Sequence, residues 1–451
     1  MAAPVIEPRT LKGFRDFLPA TMIPRERLME TARRVYRSFG FAPIDTPTLE
    51  YHEILAGKGG DESDRLMYAF EDQGGRKVGM RFDLTVPLAR FAAQHVPQLG
   101  TPFKRYHIAP VWRGENTHRG RYREFVQCDY DTIGTTAPAS DAETVLVAHE
   151  LMQAIVGPDF VIRINDRRVL TGLLSNWDVA ERSGAVLRAL DKLEKVGEEV
   201  VAGELSSQAG LTSAQIEPVL TFARLGAQRR GQTDALLAEI ERLVAGSETG
   251  LAGVAGLRQT LALCRAAGVA EANLTVDPAI ARGLDYYTGL VFETNLTQMP
   301  DIGSVASGGR YDNLAGLYTK QDLPGVGGSL GLDRLLAALE ELGRLETAET
   351  PAAVLVTMFD ATSAERYFAI AQALRRAGIA AEVYPEAKKI GQQLKYADKK
   401  GHRVAVIAGE REFAESRAQV KDLRRQAQRD VPLDAGFAAL CEAVSRVLGL
   451  G

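Results

Sequence analysis

The stretch Phe103–Gly134 constrains this chain more than any other. It reads as two apolar-rich strands joined by a loop that carries Arg113, Glu115, His118, Arg119, Arg121 and Arg123, with Gly114 and Gly120 as pivots. The first strand, Lys104 to Trp112, mixes β-branched, aromatic and basic residues, and the second runs from Glu124 to Ile133. Side chains two residues apart share a face of a strand. Gln127, Asp129 and Asp131 therefore point one way, and Val126, Cys128 and Tyr130 the other. Alternation of this kind most often marks a hairpin with one face in water. Arginines packed this closely between apolar strands favour a different reading, the floor of a polar pocket that holds an anion.

With 451 residues the chain has room for two or three domains with substantial cores. Its 45% apolar and 25% charged residues are ordinary for a soluble globular protein. No run approaches the roughly 18 apolar residues of a membrane span. The opening MAAPVIEPRTLKGFRD has no apolar core, so a secretory signal is not expected. Cys128, Cys264 and Cys441 are isolated, which excludes a CxxC metal knuckle and fits a reducing, cytoplasmic setting. The six histidines show no metal-ligand spacing, and no metal site is expected. A net charge of −4 says little about nucleic acid, because a large enzyme can be basic along one face only. Neither a GxxxxGK(S/T) phosphate loop nor a Rossmann GxGxxG nor an HExxH zinc site occurs.

Taken in order, the chain opens with the apolar-basic lead LKGFRDFLP at Leu11 to Pro19. A helix from about Pro24 to Phe39 follows, with Leu28, Ala32, Val35 and Tyr36 at helical spacing and Gly40 as its stop. Phe41 to Leu49 is extended, since Pro43 and Pro47 cannot donate to a central ladder. Val78 to Ala89 reads as a second polar strand, with Arg81, Asp83 and Thr85 on one face and Phe82 and Leu84 on the other. Val161 to Asn165 is a strand, and the alanine- and leucine-rich stretch from there to about Gly250 is helical with solvated charged faces. Leu274 to Thr294 has strand-like flanks around Arg282 and the pair Tyr286-Tyr287. A glycine loop carrying Tyr311 spans Ser307 to Asn313. Leu323 to Leu339 is a glycine-rich strand running into a helix whose stripe is Leu332, Leu335, Leu336 and Leu339. Arg334 falls in that helix's first turn, where a cation is poorly placed for the helix dipole and an external anion or aromatic plane would suit it. After a linker at Gly343 to Ala352, alternating strands and helices predict an α/β domain with a mostly parallel core. Its Lys388, Lys389, Lys395, Lys399 and Lys400 read as a solvated face that could also meet phosphates.

Several of these strings resemble the histidyl-tRNA synthetases, a family of class II aminoacyl-tRNA synthetases. The hairpin is similar to the second class II motif, and its RYHIA, GRYREF and QCDYD strings are closest to the eukaryotic-like group. Asp83-Leu84-Thr85 matches the family's histidine-binding string, ARGLDYYTGLVFE its histidine-specific motif, SGGRYDN its companion glycine loop and the segment around Arg334 the third class II motif. The helix and strand ending at Pro47 resemble the first motif, which implies a homodimer. HIAP at His107 to Pro110 is similar to the HIGH string of class I enzymes but lacks its glycine, and is better read as strand.

The resemblance covers nearly the whole chain. It implies an α+β catalytic domain on an antiparallel sheet in two parts, 1–168 and 253–342, with a helical insertion at 169–252. The linker at 343–352 then leads to an α/β anticodon-binding domain at 353–451. It further implies an enzyme that joins histidine to the histidine tRNA, using ATP with Mg as substrate and passing through histidyl-adenylate. By matched position, Arg113 and Arg282 would flank the α-phosphate, Arg121 and Arg334 would hold the β- and γ-phosphates, and adenine would stack between Phe125 and Arg334. Glu115 would meet the adenine edge or the ribose. Asp83, Leu84, Thr85, Gln127, Asp131, Tyr286, Tyr287 and Tyr311 would bind histidine, with Asp83 and Thr85 taking its α-amino group. No editing domain is expected, since polar recognition of an imidazole discriminates strongly. Gly114, Asn116 and Thr117 depart from the bulkier, basic loop with which bacterial members read the extra 5′ guanosine of their tRNA. The alternative is a histidine-sensing regulatory subunit of ATP phosphoribosyltransferase, a group that typically degrades RGLDYY and lacks the C-terminal domain.

Overall fold

The computed structural model describes residues 6–56, 66–177, 179–190, 192–229, 231–280, 286–345, 347 and 349–450. The chain divides into two compact units, one of residues 1–15 and 28–344, the other of 16–27 and 345–451. The helix Pro19–Ser38 contributes to both. Its Leu28, Ala32, Val35 and Tyr36 are buried as their spacing predicts, and Gly40 ends it with φ of +79°.

The larger unit is built on one eight-stranded sheet. In chain order its strands are β1 (Ala42–Pro43), β2 (Phe103–Trp112), β3 (Glu124–Ile133), β4 (Phe160–Asp166), β5 (Leu274–Val276), β6 (Leu290–Leu296), β7 (Ala306–Tyr311) and β8 (Gly325–Gly331). They lie in the order β1-β2-β3-β8-β7-β6-β4-β5, antiparallel except for the outermost pairs β1–β2 and β4–β5. One face is covered by the helices Pro138–Val156 and Glu248–Ala266, and there the Tyr130 hydroxyl donates to Thr144 O at 2.9 Å. The other face carries Gln127, Asp129 and Asp131. This is the antiparallel α+β architecture that the sequence leads one to expect.

Several segments differ from their sequence reading. Only Lys77–Met80 of the expected strand 78–89 is extended, in a small sheet with Leu49–Tyr51 and Ala69–Glu71. From Thr85 to Leu99 the chain is helical. Asp83 Oδ1 accepts a hydrogen bond from Val86 N at 3.0 Å, and Pro87 sits in the first turn, where a missing N–H leaves nothing unpaired. Val86, Leu88, Ala89, Ala92 and Val96 then form the buried side, so the apparent alternation is the start of a helical stripe. Arg81 consequently does not share a strand face with Asp83; it is buried and donates to Pro110 O (3.0 Å) and Thr46 O (2.5 Å).

The segment Ser307 to Asn313 is mostly the central strand β7, not a loop. Its glycines are there for close approach. A Cβ on Gly308 would stand 2.1 Å from Gly327 O and 2.6 Å from the Phe292 ring. Gly308→Ala is expected to lower the thermal unfolding midpoint, reflecting the ~1–3 kcal/mol that overpacking costs. An unchanged midpoint in a melting curve would mean that β7 and β8 do not pack this closely.

The helices between β4 and β5 run from Arg167–Ser175 to Glu248–Ala266. The expected insertion boundary at 252 falls inside the last of these. Ser247 accepts from Gly250 N at 3.2 Å and caps that helix.

In the smaller unit, β9 (Val354–Val356), β10 (Ala381–Val383), β11 (Val404–Ile407), β12 (Arg417–Asp422) and β13 (Ala427–Pro432) lie in the order β10-β9-β11-β12-β13. The first three are parallel, and β12 and β13 add an antiparallel hairpin that the sequence reading lacks. That hairpin is polar and β13 is largely exposed, which hid it. Val354, Val356, Tyr367, Ile370, Leu374, Val404, Val406 and Leu440 make the core.

Candidate active site

The site grows out of the register of β3. Gln127, Asp129 and Asp131 stand opposite Ala109, His107 and Arg105 on β2, and opposite Gly331, Ser329 and Gly327 on β8. The glycines leave room for the acids: a Cβ on Gly327 would lie 2.1 Å from Asp131 Oδ1. Arg105, fully buried, forms an ion pair through Nη2 with Asp131 Oδ2 at 2.7 Å, and the same nitrogen donates to Leu84 O at 3.2 Å. Asp131 Oδ1 accepts from the Tyr311 hydroxyl. Gln127 Nε2 donates to Ser329 Oγ at 3.0 Å.

Tyrosines close this end of the cavity. The Tyr286 ring meets Tyr287 edge-on at 5.1 Å and Tyr311 at 5.7 Å, and its hydroxyl is hydrogen-bonded to the Thr85 side chain. Asp83 is buried beside them, and its Oδ2 has no hydrogen-bond partner among the described residues. Burial pushes the Asp83 carboxyl up to about 6 against the opposing hydrogen bond from Val86 N and the charge of Arg113. Asp129 is pushed up to about 7, again chiefly by burial, with Arg105 opposing and Asp131 adding to the rise. Burial also raises Asp131, opposed by the charge of Arg105 and by the hydrogen bond from Tyr311.

Raised carboxyls have a consequence for folding. The folded chain holds protons on Asp83 and Asp129 above the usual carboxylate range near 4, so its stability is greatest at low pH within this window. That contribution is lost as pH rises through about 6 for Asp83 and about 7 for Asp129. Melting curves of the ligand-free protein should therefore fall less steeply between about pH 5 and pH 8 for Asp129→Asn than for the parent. Equal slopes would show that Asp129 titrates normally.

The opposite end is cationic. Arg113 donates through Nε to Phe82 O at 2.8 Å, and its guanidinium lies 5.2 Å over the Phe125 ring. Arg121 Nε donates to Glu115 Oε2, and Arg113 Nη1 is 3.9 Å from Glu115 Oε1. Burial works against the Glu115 charge, but the Arg121 hydrogen bond and the charges of Arg113, Arg121 and Arg334 outweigh it and hold the carboxyl below its ordinary value. Arg334, on the helix Leu332–Glu341 that follows β8, donates through Nη1 to Ser304 O at 2.6 Å.

One cavity of about 350 Å³ joins the two ends. Of the residues singled out in the sequence, Asp83, Thr85, Arg113, Glu115, Arg121, Phe125, Gln127, Asp131, Tyr286, Tyr287, Tyr311 and Arg334 all line it. Leu84 does not: its side chain is buried against Ala109, Val111 and Phe125, and only its carbonyl takes part, through Arg105. Arg282 lies outside the described residues. The lining also includes Asp129, which the alternation places on the polar face with Gln127 and Asp131, and Glu293, Ser307 and Ser329, to which sequence reasoning gave no role. Their signal was register: Glu293, Ser307, Ser329, Asp129 and His107 are successive partners across β6, β7, β8, β3 and β2. Among the described residues, no group of three or more His, Cys, Asp or Glu could hold a metal ion.

Comparison with known proteins agrees with this geometry. The profile of the histidyl-tRNA synthetase family matches residues 13–335, and that of an anticodon binding domain matches residues 353–442. A histidine–tRNA ligase of Rhodopirellula baltica is 59% identical over 427 residues, covering 95% of this chain and 96% of that protein. One from Wolinella succinogenes is 44% identical over 420 residues, covering 93% and 95%. The crystal structure of histidyl-tRNA synthetase from a Nostoc species covers 98% of this chain and 100% of its own, with a TM-score of 0.88 at 36% identity. These relatives match both units, and by family profile and full-length likeness the chain belongs to the histidyl-tRNA synthetases.

Proposed function

We propose that this chain activates histidine with ATP, releasing pyrophosphate, and passes the histidyl group from the adenylate to the 3′ end of the histidine tRNA. The observation that carries the reading is the polarity of the cavity, with buried carboxylates and tyrosines at one end and three guanidinium groups at the other. Histidine lies at the acidic end. The Oδ2 of Asp83, with Thr85, takes its α-ammonium group, while Gln127, Asp131, Tyr286, Tyr287 and Tyr311 surround the imidazole. The Arg105 and Tyr311 contacts fix Asp131 before the substrate arrives, so little orientation has to be lost on binding.

ATP lies at the cationic end. Arg113 flanks the α-phosphate, a role that the matched family motif also implies for Arg282; Arg121 and Arg334 hold the β- and γ-phosphates; adenine stacks between Phe125 and Arg334, with Glu115 at its edge or at the ribose. The histidine carboxylate attacks the α-phosphorus in line with departing pyrophosphate. No protein nucleophile is required, and the protein's work is positioning and stabilising developing phosphate charge. Bidentate guanidinium groups suit that task. Mg enters with ATP. Such an ion commonly takes one or two carboxylates and completes its shell with phosphates and water. When bound, the ion neutralises phosphate charge.

The enzyme works as a cytoplasmic homodimer, supported by the resemblance of the helix and strand before Pro47 to the first class II motif. No described helix is long and apolar enough to cross a membrane. Charging tests the reading: labelled histidine should become esterified to its tRNA in the presence of ATP. Failure to form the ester with a tRNA carrying or lacking the 5′ guanosine would refute the transfer step.

A further inference from the structure

The lead segment Leu11–Arg15 takes no part in the chemistry above, yet it is fastened to the arginine-rich loop. Phe14 N donates to Leu11 O at 3.0 Å, closing a turn in which Gly13 has φ of +88°. A Cβ on Gly13 would stand 2.8 Å from both the Arg123 side chain and Thr117 Cγ2, so this backbone lies directly on the loop. Arg123 N donates to Gly13 O at 2.9 Å, while Arg123 O accepts from Arg113 N at 2.9 Å. Arg15 carries the tie further. Its guanidinium lies 3.9 Å from the Tyr122 ring centre, and Nη1 donates to the Tyr122 hydroxyl at 2.9 Å. Nη2 donates to Asp333 Oδ1 at 2.7 Å. Asp333 is buried, and its other oxygen accepts from Val126 N at 2.9 Å. Tyr122 adjoins Arg121 in the chain, and Asp333 adjoins Arg334.

We propose that Arg15 is a positioning residue for ATP. It clasps the loop that carries Arg121 to the helix start that carries Arg334, and so sets the spacing of two guanidinium groups that come from distant parts of the sequence. The proposal rests on the reading of those two arginines as holders of the β- and γ-phosphates. A planar group that stacks on the Tyr122 ring while forking to that residue's hydroxyl and to Asp333 fills a role that lysine cannot. Preorganising two charged groups for one ligand removes an ordering cost from binding.

The test is steady-state ATP–pyrophosphate exchange by the full chain, with the KM for ATP and the KM for histidine measured separately. For Arg15→Ala the KM for ATP should rise about tenfold or more and that for histidine stay within about twofold, because the clasp touches only the cationic end. Arg15→Lys should give little rescue. An unchanged KM for ATP, or equal rises in both constants, overturns the proposal, the second outcome marking a merely structural tie. Should Arg15→Ala fail to fold, Tyr122→Leu removes the same stack and hydroxyl and should show the same ATP-only rise, with the same overturning results. Arg121→Ala separates the two levels of the argument. A large ATP defect there beside a silent Arg15→Ala defeats the clasp alone, whereas a silent Arg121→Ala defeats the phosphate reading and the clasp with it.

Discussion

Replacing Arg113 by alanine is expected to slow histidyl-adenylate formation by roughly 10²–10³ or more, the scale on which removing one preorganised donor to a developing charge acts. The guanidinium is already oriented by the Phe82 carbonyl and the Phe125 ring, so its contribution does not have to be assembled in the transition state. The loss should appear chiefly in kcat, with a smaller change in the KM for histidine. Arg113→Lys should recover only part of the rate, because an ammonium cannot reach two phosphate oxygens at fixed spacing. The same loss is expected of Arg282→Ala on the strength of the matched motif. Single-turnover adenylate formation gives the answer, and a normal rate in either variant would remove that arginine from the chemistry.

The second large effect is expected at the histidine end. Asp83→Asn should raise the KM for histidine about 10- to 100-fold, the 1.5–3 kcal/mol of a hydrogen bond to a charged group. Its Oδ1 has a fixed backbone donor in Val86, and Oδ2, with no hydrogen-bond partner among the described residues, is the acceptor left for an ammonium group. Asp131→Asn should be as costly for histidine and costlier for the fold. It would leave Arg105 buried with its charge uncompensated, a loss of about 3–5 kcal/mol when one member of a buried pair is removed. The two variants should thus separate in a melting experiment, with Asp83→Asn nearly unchanged and Asp131→Asn clearly lower. A KM for histidine within twofold of the parent in both would mean that the amino acid binds elsewhere. The KM for ATP should change by no more than a few-fold in each.

How much of this was legible in the sequence depended on the range of the interaction that decides each element. The hairpin was readable to within a residue because period-two alternation is local, and β3 runs from Glu124 to Ile133 as expected. Segment 78–89 failed for an equally local reason. A short polar–apolar alternation and the first turn of an amphipathic helix look alike over five residues, and what decided between them was Asp83 accepting from the third residue onward. Glycine gave no periodic signal, so β7 passed for a loop, although Gly308 and Gly309 sit where a side chain would strike the neighbouring strand.

The site residues divide in the same way. Charged and aromatic positions within recognisable strings were found, since they announce a type of chemistry. Ser307, Ser329 and Glu293 entered only once strand register was known, because their meeting depends on pairing between strands far apart in the chain. Arg15 and Asp333 are separated by 318 positions, and nothing local to either shows that they meet.

Histidine-dependent ATP–pyrophosphate exchange, with each of the twenty amino acids offered in turn to the purified full-length chain, tests the central claim most directly. Exchange with histidine, and with no other amino acid above background, is the predicted result. Histidine binding without exchange would contradict the assignment of the arginines and favour a sensor of histidine, and exchange driven by a different amino acid would contradict the reading of the acidic pocket.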